Sequence, residues 1–317
     1  MSAATRGPVV HKIDDRLFQI DTLMFGRPRF ASVYLVSGKR AAILDAGVSV
    51  TVDTVLEGVA AAGVRFEEVA YVCITHAHYD HAGGAHELLR RLTGAGADVK
   101  VVCAEKPSIY LRRQDILDKI MASGRDTEGD RAGVMKPIDA KDILVTHPGD
   151  VLDLGGNSIQ ALDAPGHANG HLVFLVPRND FVFVGDACGV CGRTADPRPV
   201  IAPTAFAPEY RHRAYIDNVR AISGSGVKKV GIAHFGVLAN PRQALLESIA
   251  TADWIYGLVH DVVNGRRGHD EVMALMDERL QESLLPLYQS RERMLITIKS
   301  MVSGMLHDLQ RPASRPT

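Results

Sequence analysis

A mixed α and β fold closed by a purely helical appendage is what this sequence predicts, and three observations predict it. Short β-branched and aromatic runs recur from residue 17 to residue 233, separated by turn residues or by stretches with helical spacing. Histidines and aspartates cluster where several of those runs end. After Gly236 the composition changes, and only helical patterns remain. Periodicity by itself goes no further than mixed α and β.

Taken in order, Leu17 to Ile20, Ser32 to Val36 and Ala41 to Asp45 read as strands of an opening β-meander, with Ser37-Gly38-Lys39 as a hairpin turn. Val52 to Ala62 has helical spacing and stops before Gly63, a C-terminal cap. Val69 to Ile74 is a buried strand, Ala85 to Leu92 a helix, and Val99 to Cys103 a further strand. Residues 107–136 are polar, helical and mixed in charge. Such insertions often serve as lids or binding loops, and Tyr110, Arg112 and Arg113 are candidates to meet an anionic substrate group. Its end, residues 126–133, reads as mobile.

Strand signals resume at Ile143 to Thr146, Asp150 to Leu154, Ser158 to Leu162, Leu172 to Val176 and Phe181 to Val184. Gly155-Gly156-Asn157 and Arg178-Asn179-Asp180 supply turns, Glu209 to Ser223 a helix, and Lys229 to Ala233 the last strand. Three helices follow: Pro241 to Val263, Asp270 to Glu282, and Leu284 to Leu309 with Pro286 near its start. Met294, Ile298, Met301, Met305 and Leu309 form a stripe that reads first as core and second as a substrate-facing or dimer-forming face. The Pro-rich end, Arg311 to Thr317, reads as disordered.

The chemistry concentrates in Thr75-His76-Ala77-His78-Tyr79-Asp80-His81-Ala82-Gly83-Gly84. His76 and His78 are two apart, so on extended backbone they point the same way and can share one ion. Asp80 and His81 no longer fit a strand, and Gly83-Gly84 turns the chain into the next helix. A catalytic metal keeps a position open for water, so four donors in six residues suggest two adjacent metals.

This loop resembles the HxHxDH signature of the metallo-β-lactamase superfamily of hydrolases, and three later stretches extend the resemblance over residues 8–240. Ala164-Pro165-Gly166-His167-Ala168-Asn169-Gly170-His171 looks like the family's second histidine motif, Phe183-Val184-Gly185-Asp186 like its bridging aspartate, and Ala233-His234-Phe235-Gly236 like its last histidine. The resemblance implies an αββα sandwich over residues 1–240. A helical extension at 241–317 then covers the site or forms an interface, including a homodimer through these helices. It implies that His76, His78 and His167 hold one metal, that Asp80, His81 and His234 hold a second, and that Asp186 bridges them. Asp45, in Asp45-Ala46-Gly47, and His171 fall behind the ligands as supporting residues. The expected cofactors are two divalent ions, zinc first, with iron or manganese also suited to such donors. A water between two such ions becomes a hydroxide near neutral pH, and Asp80 would steer it or take up a proton.

Function classes narrow from there. The bridging Asp186 resembles glyoxalase II, acyl-thioesterase and lactonase branches more than true β-lactamases, which as a family lack that shared carboxylate. Helices after the last histidine resemble the arrangement in glyoxalase II and an acyl-thioesterase branch, which favours a thioesterase, although no glutathione-binding set of basic and aromatic residues is recognisable. A lactonase, with Tyr210 or Tyr215 as the phenol near the metals, is the alternative. A regulatory or partner-binding protein with an intact site is a further one. With 36 basic against 37 acidic residues, no global field recruits nucleic acid or membrane, and a small-molecule substrate is expected. Met1 to Val10 has no apolar signal core, which points to the cytoplasm. Cys73 and Cys103 read as buried strand residues. Cys188 and Cys191, a Cys-x-x-Cys pair just beyond Asp186, read as structural, with metal binding or thiol–disulfide cycling as the alternative.

Overall fold

The computed structural model describes residues 10–192 and 199–311. The first half of the chain comprises β1 (Val10–Asp14), β2 (Leu17–Asp21), β3 (Ser32–Ser37), β4 (Ala41–Leu44), α1 (Val52–Ala61), β5 (Val69–Cys73), α2 (Tyr79–Ala82), α3 (Ala85–Gly94), β6 (Lys100–Cys103), α4 (Glu105–Leu111), α5 (Gln114–Glu128) and β7 (Ile143–Val145). Its strands form one sheet in the order β1 to β7, antiparallel as far as β4 and parallel from β4 to β7. The second half comprises β8 (Val151–Asp153), β9 (Ser158–Asp163), β10 (Leu172–Val176), β11 (Phe181–Phe183), α6 (His212–Gly224), β12 (Lys229–Ile232) and β13 (Gly236–Ala239). These strands pair in the order β13-β12-β11-β10-β9-β8, and α6 lies on the connection between the parallel pair β11 and β12. The chain ends in α7 (Arg242–Val263), α8 (His269–Tyr288) and α9 (Arg291–Leu309).

The period of two along the strands explains why these sheets stack as the middle of an αββα sandwich. Tyr34 and Val36 of β3 join Val102, Phe174, Phe181 and Phe183 in the core between the sheets. Val33 and Leu35, one residue out of phase, join Val55 and Val59 of α1, Leu88 of α3 and Leu117 of α5 in an outer core. Val182, Val230 and Ile232 face the other way and pack with α6 and with Ile255, Met276, Leu280, Ile298, Met301 and Met305 of the three last helices. The helices after β13 therefore complete the outer layer of the second sheet and share its core.

The structure departs from the sequence expectations at identifiable points. The edge strands β1 and β13 are not individually legible in the sequence, because each is short and its apolar signal is thin. Pro286 does not begin the third helix; it lies in the last turns of α8. The break comes later, where Gln289 takes φ +53° and the Ser290 side chain accepts from the Arg293 amide to cap α9. Residues 126–133 are anchored, since Glu128 is 8% exposed and paired with Arg27. The methionine stripe is core: Met294, Ile298, Met301 and Met305 are fully buried, with Leu309 packed at the margin. That burial excludes it as a substrate-facing or dimer-forming face. Among the described residues, no helix is long and apolar enough to cross a membrane. The tail beyond residue 311 lies outside the described residues.

Because the last helices and the second sheet share a core, Met301→Ala should cost about 2–5 kcal/mol. Urea unfolding followed by Trp254, the single tryptophan, on α7, and by far-UV circular dichroism should shift together. Two separate transitions would show that the helices unfold on their own.

Candidate metal centre

The residues behind the site fix which nitrogen of each imidazole faces inward. Asp45 follows β4 with φ +60°, and its carboxylate accepts from the Thr75 amide (2.8 Å) and the Thr75 hydroxyl (3.0 Å). Its other oxygen takes His81 Nδ1–H at 2.7 Å. With its one proton given to Asp45, the Thr75 hydroxyl accepts from His76 Nδ1 at 3.0 Å. His167 Nδ1 donates to the Thr204 carbonyl (2.7 Å) and His234 Nδ1 to the Phe30 carbonyl (3.2 Å). In all four rings the outer nitrogen carries the proton, and the lone pair of Nε2 is left pointing inward.

Those lone pairs converge. His167 Nε2 lies 3.2 Å from His76 Nε2 and 3.1 Å from His78 Nδ1. His81 Nε2 faces Asp186 Oδ1 at 3.4 Å, and His234 Nε2 faces Asp80 Oδ2 at 3.4 Å and Asp186 Oδ1 at 3.8 Å. Asp186 Oδ2 turns the opposite way, 3.5 Å from His167 Nε2. Two groups of donors result, His76–His78–His167 and Asp80–His81–His234, each compact enough to hold an ion, with Asp186 set between them. Acceptors facing acceptors repel, and His81 Nε2 and Asp186 Oδ1 are buried without a hydrogen-bond partner. A divalent cation among these donors would turn that repulsion into coordination, so the residues present fit bound metal.

The electrostatics agree. Burial and the neighbouring rings keep His76 and His171 well below the ordinary imidazole range, and burial lowers His167 to about 4. These three rings are neutral at any physiological pH. Burial also pulls His81 down, but Asp186, Asp80 and Asp45 outweigh it and raise His81 well above its usual value. The carboxylates thus demand positive charge where they meet. Burial pushes Asp80 up, yet His81 and His234 hold it at about 2.

Backbone turns make these approaches possible. Gly185 has φ +50°, and a Cβ there would meet the Thr75 hydroxyl at 2.8 Å, which only glycine avoids while placing Asp186 next to the histidine loop. Thr204 Oγ1 donates to the Asp186 carbonyl, so this one threonine braces both Asp186 and His167. The Cys191 amide donates to the His234 carbonyl at 2.8 Å. His171 stacks on His76 at 4.7 Å and accepts from the Asp186 amide at 3.4 Å; it lies behind both groups of donors. The opening to solvent is at His78, Tyr79 and Asp80, the last with 19% of its side chain exposed. The insertion docks here, with Gly124 of α5 under the Tyr79 ring.

Several expected contributors are engaged elsewhere. Arg113 pairs with Asp115 at 2.7 Å, and Arg112 Nε donates to the Ser108 carbonyl. Tyr110 donates to Glu209, which also accepts from the Asn169 amide and side chain beside His167. The Tyr210 hydroxyl meets His212 Nδ1 at 2.9 Å, and His212 in turn stacks on Tyr256 and bonds Asp253. Tyr215 is buried under Gly166 and Gly189, its hydroxyl without a hydrogen-bond partner. Cys188 and Cys191 are buried and belong to neither group of donors. Sequence inspection missed Thr204 and Phe30, which meet His167 and His234 through a backbone carbonyl that any residue would supply.

A family model described as the metallo-beta-lactamase superfamily matches residues 26–234. A curated relative, the metallo-beta-lactamase fold-containing protein ST1585 of Sulfurisphaera tokodaii, is 29% identical over 218 residues, 67% of this chain and 75% of that one. Its crystal structure superposes with a TM-score of 0.58 at 26% identity, covering 74% of this chain and 85% of its own. The family protein TTHA1429 of Thermus thermophilus shares the fold across 96% of this chain and 91% of its own, at 19% identity and a TM-score of 0.60. A hydroxyacylglutathione hydrolase of Acidiphilium cryptum is 29% identical over 139 residues, and the match spans 44% of this chain and 39% of that enzyme.

Asp45 orients His81 and the Thr75 loop together, so Asp45→Ala should weaken divalent-metal affinity by about 10–100-fold in chelator competition, with the fold retained. Unchanged affinity would show that the pair Asp45–His81 does not position a ligand.

Proposed function

This chain belongs to the metallo-β-lactamase superfamily, largely metal-dependent hydrolases, and from that premise we propose that it hydrolyses small acyl thioesters with two bound divalent ions. The inward convergence of imidazole lone pairs and carboxylates carries this reading. His76, His78 and His167 would hold one ion, Asp80, His81 and His234 the other, and Asp186 would touch both. Zinc, iron and manganese all suit this donor set. Bound there, the ions supply Lewis acidity: they activate water near neutral pH and draw charge from the substrate's carbonyl oxygen.

The chain's own groups do the rest. Asp80, ionised and at the open edge, would orient the attacking water and receive its proton. Asp45, Thr75, Thr204 and the Phe30 carbonyl hold the ligands in register. The thioester is favoured over the lactone because a thiolate leaves without strong acid assistance, and the phenols that would help an alkoxide leave, Tyr210 and Tyr215, are turned to His212 and buried under glycines. Several relatives are named hydroxyacylglutathione hydrolases, and hydroxyacylglutathione is itself a thioester.

Metal-replete protein should show a higher kcat/KM on butanoyl coenzyme A than on a lactone of similar chain length. A ratio well below one would make the enzyme a lactonase. Asp186→Asn should lower hydrolysis by at least about 100-fold and reduce bound metal below two per chain by elemental analysis. Full activity and metal content in that variant would overturn the assignment.

A further inference from the structure

A second cluster of charge lies one aromatic ring away from the metal centre. Arg27, in the loop between β2 and β3, is 5% exposed, and its guanidinium sits 4.2 Å from the Phe30 ring centre and 4.9 Å from that of Phe25. Phe30 meets the His234 ring edge to face at 5.2 Å and Tyr288, the last residue of α8, at 5.6 Å. Arg27 Nη2 pairs with Glu128 from the end of α5. Arg131 and Arg293 approach the second oxygen of the same carboxylate, each at 3.4 Å.

Two features of this cluster are out of balance. Three guanidinium groups surround one carboxylate, so the net charge is positive. Arg27 Nε and Nη1 are also buried with no hydrogen-bond partner. Leaving such donors unpaired is unfavourable, and guanidinium groups are seldom buried this way without an acceptor. Glu128 satisfies only one of the three nitrogens. The side chains of Arg293 and Arg131 are 28% and 51% exposed, and Tyr79 and Tyr288 are only partly covered, so the cluster borders solvent on the side where the metal centre also opens.

We propose that Arg27 and Arg293, with Arg131 at the rim, form a subsite for an anionic group of the substrate, a carboxylate or a phosphate, whose acyl carbonyl lies at the metal centre. Guanidinium forks pair with such oxyanions through charge-assisted hydrogen bonds, and the aromatic walls at Phe25 and Phe30 strengthen them by excluding water. This takes the place of the anion contact expected of Arg112 and Arg113, which are engaged by Ser108 and Asp115. The proposal rests on the hydrolase reading only for its kinetic test.

Three thioesters distinguish where the anion resides: S-butanoyl-N-acetylcysteamine is neutral, S-succinyl-N-acetylcysteamine carries a carboxylate on the acyl half, and butanoyl coenzyme A carries phosphates on the thiol half. For Arg27→Gln and Arg293→Gln, kcat/KM on one charged thioester relative to the neutral one should fall about 10-fold or more, mainly through KM. Arg113→Gln should leave that ratio as in the wild type. A ratio unaltered in both cluster variants overturns the subsite. Where Arg27→Gln alone fails to fold because Glu128 is left unpaired, Arg27→Gln/Glu128→Gln removes the pair together and Arg293→Gln stands beside it. Calorimetric titration of glutarate and inorganic phosphate into metal-replete protein gives an arm independent of turnover, since metal contributions are common to wild type and variants. Binding that weakens 10-fold or more in the variants supports the subsite even if no thioester is cleaved, and equal binding overturns it.

Discussion

The opposed lone pairs at the centre of this molecule are the constraint on which the remainder depends. His76, His167, His81 and His234 each give their outer proton to a fixed acceptor, and each is left with an unprotonated nitrogen aimed at another acceptor. In the low dielectric of a buried site, that arrangement is unfavourable without positive charge between the donors. Asp186, Asp80 and Asp45 raise His81 well above its usual range, the direction expected where carboxylates call for a cation.

The sandwich delivers these groups from both sheets. His76 and His78 follow β5, Asp45 follows β4, Asp186 follows β11 and His234 follows β12, so strand ends of the two layers supply one site. The inter-sheet core of Tyr34, Phe174, Phe181 and Phe183 holds the layers in register, and Tyr34 donates to the Gly236 carbonyl just past His234. A core that permits little movement keeps facing ligands within coordination distance.

Much of this was legible in the sequence because the signals are local. The histidine loop is ten residues long, and its spacing alone brings His76 and His78 to one side. The strands that bracket it alternate by the rule that sorted them into inner and outer cores. What could not be read depends on partners distant in sequence. Thr204 and Phe30 contribute carbonyls, which carry no residue signature. Arg112 and Arg113 are the local exception, since Ser108 and Asp115 lie four and two residues away and only the backbone conformation decides that they pair. Arg27 carried no such signal, although Glu128, a hundred residues later, holds it in a buried ion pair. Pro286 misplaced a helix boundary because the Ser290 cap and the left-handed Gln289 decide it.

Glu128 also shows how the pieces outside the sandwich are joined. The loop carrying Arg27, the insertion ending at Glu128 and the final helix carrying Arg293 meet at one carboxylate, and Gln289 clasps the Pro28 carbonyl nearby. The appendage is thereby tied to the edge of the metal centre. X-ray absorption spectroscopy of the metal-replete protein addresses the central claim most directly. The account predicts nitrogen and oxygen ligands with strong imidazole scattering, no sulfur, and a metal–metal vector of about 3.5–4 Å. A single metal without that vector, or a sulfur shell from Cys188 and Cys191, would contradict it.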